Sequence, residues 1–87
     1  MASTRPVTVY TMHYCPYCER AKALLAQRGI PYEEKCLEND DEAAWDALYE
    51  RSGMRTMPQI FVGEELIGGY TELAAQDRKD QLTSFKS

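Results

Sequence analysis

A chain of 87 residues is long enough for one small domain with a thin core. With 44% hydrophobic and 28% charged residues it has the balance of a globular protein, which excludes a disordered one. The net charge of −4, without a basic block, argues against a nucleic-acid partner. No apolar run approaches the roughly 20 residues needed to span a bilayer, so no membrane role is expected.

The segment Met1-Ala2-Ser3-Thr4-Arg5-Pro6 lacks the apolar centre of a signal peptide. The chain has three cysteines, and two of them, Cys15 and Cys18, are three apart. That is a poor secreted disulfide scaffold and a better fit to a reducing compartment, so a cytoplasmic location is expected.

In chain order, Val7 to Thr11 reads as a strand of β-branched and aromatic residues. Pro16 to Arg28 reads as a helix: Pro16 suits its first turn, Ala21, Leu24 and Leu25 form an apolar face, and Gly29 suits its C-terminal end. Ile30 to Leu37 reads as a second strand. With the helix between them, the two strands form a βαβ unit, which predicts parallel pairing and a right-handed crossover. Acids in Glu38-Asn39-Asp40-Asp41 precede a helix over Glu42 to Ser52, whose expected buried side is Ala44, Ala47 and Leu48 with Trp45 and Tyr49.

Gln59 to Val62 is then a short strand, Gly63-Glu64 a tight turn and Glu65 to Ile67 its hairpin partner. A last helix is expected from Thr71, losing its apolar face at Arg78-Lys79-Asp80-Gln81 before Leu82 and Phe85. The order β-α-β-α-β-β-α predicts a four-stranded mixed α/β sheet flanked by three helices.

The chemistry concentrates at Cys15-Pro16-Tyr17-Cys18, where the first strand gives way to the first helix. Cysteines at i and i+3 across a helix start can close into a disulfide, and the helix end favours the thiolate of the first. Thiolates are the attacking form in disulfide exchange. Zinc normally takes four ligands, and only Cys36 and His13 stand beside the pair, so no metal is expected. Cys15 is the expected nucleophile, because it meets free backbone N–H groups at the helix start. Cys18, one turn inside, is the expected resolving thiol. Lys22 shares a similar helix face, either adding positive potential or simply solvated. Cys36, near the end of the second strand, is expected to be packed in the interior, with a regulatory thiol as the alternative.

Two further segments are candidates. Pro58 after Thr56-Met57 either enters a strand or forms a cis bond that turns the backbone of Met57 outward, towards an extended peptide-like ligand. Gly68-Gly69 before Thr71-Glu72 is either a plain turn or a close-approach site. There Thr71 caps the helix, free N–H groups suit a carboxylate and Glu72 suits an amine.

These pieces together resemble the glutaredoxins. Cys15-Pro16-Tyr17-Cys18 is identical to the motif of the dithiol class, Thr56-Met57-Pro58 departs from Thr-Val-Pro by one residue, and Gly68-Gly69 matches the glycine pair before the last helix. Val9-Tyr10-Thr11, Arg20 to Leu25, Arg51-Ser52-Gly53 and Pro58 to Phe61 are also similar to family sequence. The resemblance implies one glutaredoxin domain over 1–87 (core about 7–77), a thioredoxin-like fold, a cis Pro58, and glutathione as cosubstrate.

By position it implies glutathione contacts from Tyr17, Thr56, Met57, Pro58, Gly69, Thr71 and Glu72. The lysine that many members carry three residues before the first cysteine is Met12 here, and Trp45 stands where a Gln or Arg often helps; Arg55 is the substitute, with His13 a weaker one. A monomer is expected, and the implied partners are glutathione and glutathionylated or disulfide-bearing proteins, ribonucleotide reductase among the candidates. Two alternatives stand beside that reading. One is a small redoxin reduced by thioredoxin reductase and serving ribonucleotide reductase. The other is a glutathione-ligated [2Fe–2S] carrier, against which Cys18 argues, because relatives of that kind usually have Ser there.

Overall fold

The structure, a computed structural model, describes residues 6–78. Its elements are β1 (Val7–Met12), α1 (Pro16–Gln27), β2 (Glu33–Leu37), α2 (Glu42–Ser52), β3 (Gln59–Val62), β4 (Glu65–Gly68) and α3 (Tyr70–Arg78). Residues 1–5 and 79–87, including Leu82 and Phe85, lie outside that description. No described helix is long and apolar enough to cross a membrane.

The four strands form one sheet in the order β2-β1-β3-β4. β1 pairs with β2 in parallel, and β3 is antiparallel to both β1 and β4. This is the thioredoxin-like arrangement. Side-chain alternation along β1 and β3 divides the core in two. Val7, Val9, Ile60 and Val62 face Ala21 and Leu25 of α1 and Leu73 of α3. Phe61 packs with Leu48 of α2, Cys15, Cys18 and Met57, with Tyr10 and Met12 around them. Because β3 is covered on both faces, all four of its residues are buried.

The second strand is shorter than Ile30 to Leu37. Helix α1 closes in a Schellman turn: Gly29, at φ 71°, donates its N–H to the Ala26 carbonyl (3.0 Å), and Ile30 donates to Leu25 (2.9 Å). Ile30 is thereby the buried residue that seals the helix end, and pairing with β1 begins at Glu33.

Helix α2 also differs from expectation. Leu48 alone of its expected side is fully buried, Ala44 and Trp45 are half-buried, and Ala47 and Tyr49 are exposed. Small alanines leave an apolar gap of about 290 Å3 against Tyr10 and Leu37. Arg51 reaches over the gap, its guanidinium 4.4 Å from the Phe61 ring and 3.0 Å from the Tyr10 hydroxyl.

Candidate active site

Pro16 at the first position of α1 fixes the geometry of the residue before it, because a residue preceding proline is driven to extended backbone. Cys15 accordingly has φ −119° and ψ 98° and is the N-cap of α1. Its carbonyl accepts the first helical bond from Glu19 N–H (3.2 Å), and its sulfur accepts the N–H of Cys18 at 3.2 Å. A sulfur thus occupies the place that a Ser or Asp oxygen takes in an ordinary N-cap. Tyr14, fully exposed, turns the chain into this start with a left-handed φ of 58°.

Cys15 and Cys18 are joined as a disulfide, with Cα atoms 5.2 Å apart. Cys15 retains 8% of its surface and Cys18 1%. The pair therefore has an outer and an inner sulfur, and the outer one lies at the positive end of a helix.

A groove of about 180 Å3 opens next to this turn. Tyr17 lines it from α1, Thr56, Met57 and Pro58 form one wall, and Gly69, Tyr70, Thr71 and Glu72 form the other. The Met57–Pro58 peptide is cis. Met57 precedes the β3 ladder, whose register with β1 ends at Gln59, and its side chain packs with Cys15 and Cys18. On the far wall a Cβ at Gly69 would come within 3.3 Å of the Pro58 carbonyl oxygen. The missing side chain is therefore what separates the two walls.

Helix α3 begins one residue earlier than expected, at Tyr70, and its cap is not Thr71. The Glu72 carboxylate turns back and accepts the N–H of Gly69 at 2.7 Å, the acidic half of a capping box. A Cβ at Gly68 would lie 2.7 Å from Glu72 Cγ, and Gly68 has φ +129°, so this fold-back needs glycine there. Tyr70 is a lining residue that sequence reasoning did not single out. Its ring lies 6.0 Å from that of Tyr17, and the available signal was an aromatic directly after two glycines.

Among the described residues, no cation lines the groove. Arg55 does not line it; the guanidinium stacks 4.0 Å from the Tyr49 ring. Arg20 lies 5.1 Å over the outer aromatic, Tyr17. Lys22 is neither solvated nor free: Glu19 (2.9 Å) and Glu34 (3.0 Å) flank its ammonium. Their hydrogen bonds, Glu19 first, raise its pKa. Glu34 is held below the usual carboxylate range, mainly by the buried Thr11 hydroxyl (2.8 Å) and then by Lys22.

His13 pairs with Glu38 at 3.1 Å, and Trp45 donates its indole N–H to the Glu38 carbonyl at 3.0 Å. Met12 is half-buried against the cysteine cluster.

Cys36 corrects the expectation of a packed thiol. It is exposed on β2, the edge strand, with its sulfur 4.0 Å from His13 Nε2. The first four residues of β2, Glu33 to Cys36, are all exposed.

A dithiol that closes at a helix start on a thioredoxin-like sheet defines a thiol–disulfide oxidoreductase. Comparison with known proteins narrows the class. The glutaredoxin family model matches residues 7–67. Glutaredoxin 3 of Escherichia coli is 41% identical over 76 residues, covering 87% of this chain and 90% of that protein. The crystal structure of wheat glutaredoxin superposes with a TM-score of 0.84 at 33% identity, over 92% of this chain and 77% of that one. A buckwheat glutaredoxin–glutathione complex superposes with a TM-score of 0.79 at 32% identity, over 93% and 76%. The chain belongs to the glutaredoxin family.

Proposed function

We propose that this domain is a cytoplasmic, glutathione-dependent oxidoreductase that reduces protein disulfides and glutathione mixed disulfides. The observation that carries the reading is the groove beside the dithiol, which joins Tyr17, the Thr56-Met57-Pro58 wall and the Gly69 to Glu72 wall. Met57 lies outside the strand ladder in one wall of the groove, where its backbone suits pairing with a short peptide-like thiol. The buckwheat relative was crystallised as a complex with glutathione, which agrees with this assignment.

In the mechanism, Cys15 thiolate attacks the glutathione sulfur of a mixed disulfide. The S–S bond breaks, the substrate leaves as a thiolate and Cys15 carries glutathione. A second glutathione thiolate then attacks that sulfur, releasing oxidised glutathione and regenerating Cys15. With a protein disulfide, Cys15 forms the mixed disulfide and Cys18 displaces it, giving the Cys15–Cys18 bond; two glutathiones reduce that bond in turn. The Cys18 N–H and the helix start favour negative charge on Cys15 when it attacks and when it leaves as a thiolate.

Within the groove, Glu72 is the contact for the γ-glutamyl amine, with one of its oxygens engaged by Gly69 N–H. Among the described residues no cation lines the groove for the glycine carboxylate, since Met12 and Trp45 are uncharged and Arg55 stacks on Tyr49. Each missing charge-assisted contact, about 1.5–3 kcal/mol, corresponds to roughly tenfold or more in affinity. A high KM for glutathione is therefore expected.

That shortage is also what favours a thioredoxin-reductase-fed redoxin, with ribonucleotide reductase as the electron acceptor, as the second reading. Turnover of a glutathionylated peptide with each donor system separates the two. Robust turnover with glutathione supports the first reading; reduction by thioredoxin reductase with none by glutathione overturns it.

A further inference from the structure

Gln59 opens β3 with its side chain fully buried. Its carboxamide nitrogen donates to two carbonyls of the preceding loop, Met54 at 3.1 Å and Thr56 at 3.1 Å. Its Oε1, equally buried, meets no donor among the described residues. The amide orientation follows from chemistry, because the reverse would set an oxygen against two carbonyl oxygens. A buried oxygen without a donor is unfavourable, and an apolar side chain of similar length would avoid it. The contribution of Gln59 therefore lies on its nitrogen side.

There the amide ties the loop at residues 54–56 to the central sheet. Further side-chain anchors of the loop are Ser52 Oγ, which accepts Met54 N–H at 3.0 Å, and the Arg55 guanidinium stacked on Tyr49. The tied segment bears directly on the groove: Thr56 and Met57 form one wall, and Met54 Cε comes within 3.9 Å of a Cβ placed on Gly69 in the other.

We infer that Gln59 is a positioning residue for the substrate groove. Its two N–H groups hold the Thr56-Met57 wall in register with the Gly69-Thr71 wall, and so set the affinity for a peptide-like thiol. The inference rests on the glutathione reading above.

Gln59→Met removes both donors and the unpartnered oxygen in a similar volume, so its effects on global stability oppose one another. The KM for glutathione should rise about tenfold, the equivalent of two lost hydrogen bonds, while kcat and the pH profile of Cys15 alkylation stay as in the parent. Gln59→Glu adds a pH signature. Its ionised carboxylate repels the two carbonyls, whereas the protonated form regains one donor, so its KM relative to the parent's at the same pH should fall as pH drops from about 8 to about 5.

A parent that turns over with glutathione, beside a Gln59→Met of unchanged KM, overturns this role alone. So does a KM that rises only in step with a shifted alkylation profile. If Gln59→Met does not fold, the pH dependence of the Gln59→Glu KM relative to the parent's decides, and a ratio that does not change with pH overturns the role. A parent inactive with glutathione overturns both this role and the reading beneath it.

Discussion

The sulfurs of Cys15 and Cys36 offer a contrast within one chain. Cys36 is exposed on an edge strand, and its nearest polar contacts are His13 Nε2 and the Leu37 carbonyl, each at 4.0 Å. Cys15 has only 8% of its surface exposed, yet it caps a helix and accepts the Cys18 N–H at 3.2 Å. The difference separates access from activation. A thiol becomes a good nucleophile where fixed donors and a helix end stabilise its thiolate, and exposure alone does not supply that.

The sharpest way to break the contrast is to remove one sulfur at a time. Cys15→Ser should abolish deglutathionylation, by roughly 10³-fold or more, since the other sulfur of the helix start, Cys18, is buried at 1% exposure. Cys18→Ser should keep that activity and lose reduction of protein disulfides, while Cys36→Ser should leave both rates at the parent value. Residual activity in Cys15→Ser that disappears on further loss of Cys36 would reverse the assignment.

A smaller effect is expected at the groove. Gly69→Val puts a branched side chain where a Cβ already approaches the Pro58 carbonyl oxygen to 3.3 Å. The KM for glutathione should rise about tenfold while the alkylation rate of Cys15 holds. An unchanged KM would show that this wall is not used.

The smallest effect concerns Glu34, whose pKa is lowered from 4.5 by the Thr11 hydroxyl and then by Lys22. A carboxyl with a lowered folded pKa contributes stability that is present above its unfolded value and lost as pH falls through the folded one. With its side chain 35% exposed, screening keeps the contribution below about 1 kcal/mol. Glu34→Gln should therefore flatten the acid limb of the stability curve below about pH 4.5, with little change at neutral pH. A carboxyl titrating at or above 4.5 by NMR would contradict the Thr11 contact.

Much of this was legible in the sequence, for local reasons. Pro16 and Gly29 bracket α1, Asp41 caps α2 through Ala44 N–H (3.2 Å), and Gln59 to Val62 forms β3 with the expected bounds. What sequence reasoning missed depends on tertiary placement. Cys36 reads as packed because small buried cysteines are common, but β2 is the sheet edge, and the run Glu33-Glu34-Lys35 before it was the overlooked signal.

The apolar side of α2 reads as buried by periodicity, yet its alanines are too short to close the gap to Tyr10 and Leu37. Thr71 reads as the cap of α3, whereas Glu72 takes that place because Gly68 and Gly69 leave room for it. Gln59 could have been found as the lone amide in an otherwise apolar four-residue strand.

The central claim is that the helix start, and not exposure, selects the attacking sulfur. The most direct test reduces the chain and alkylates it with a substoichiometric reagent near neutral pH, reading each cysteine by mass spectrometry. Cys15 should be modified at least about tenfold faster than the more exposed Cys36, as expected for a thiolate held at a helix N-terminus. Equal rates, or faster modification of Cys36, would contradict it.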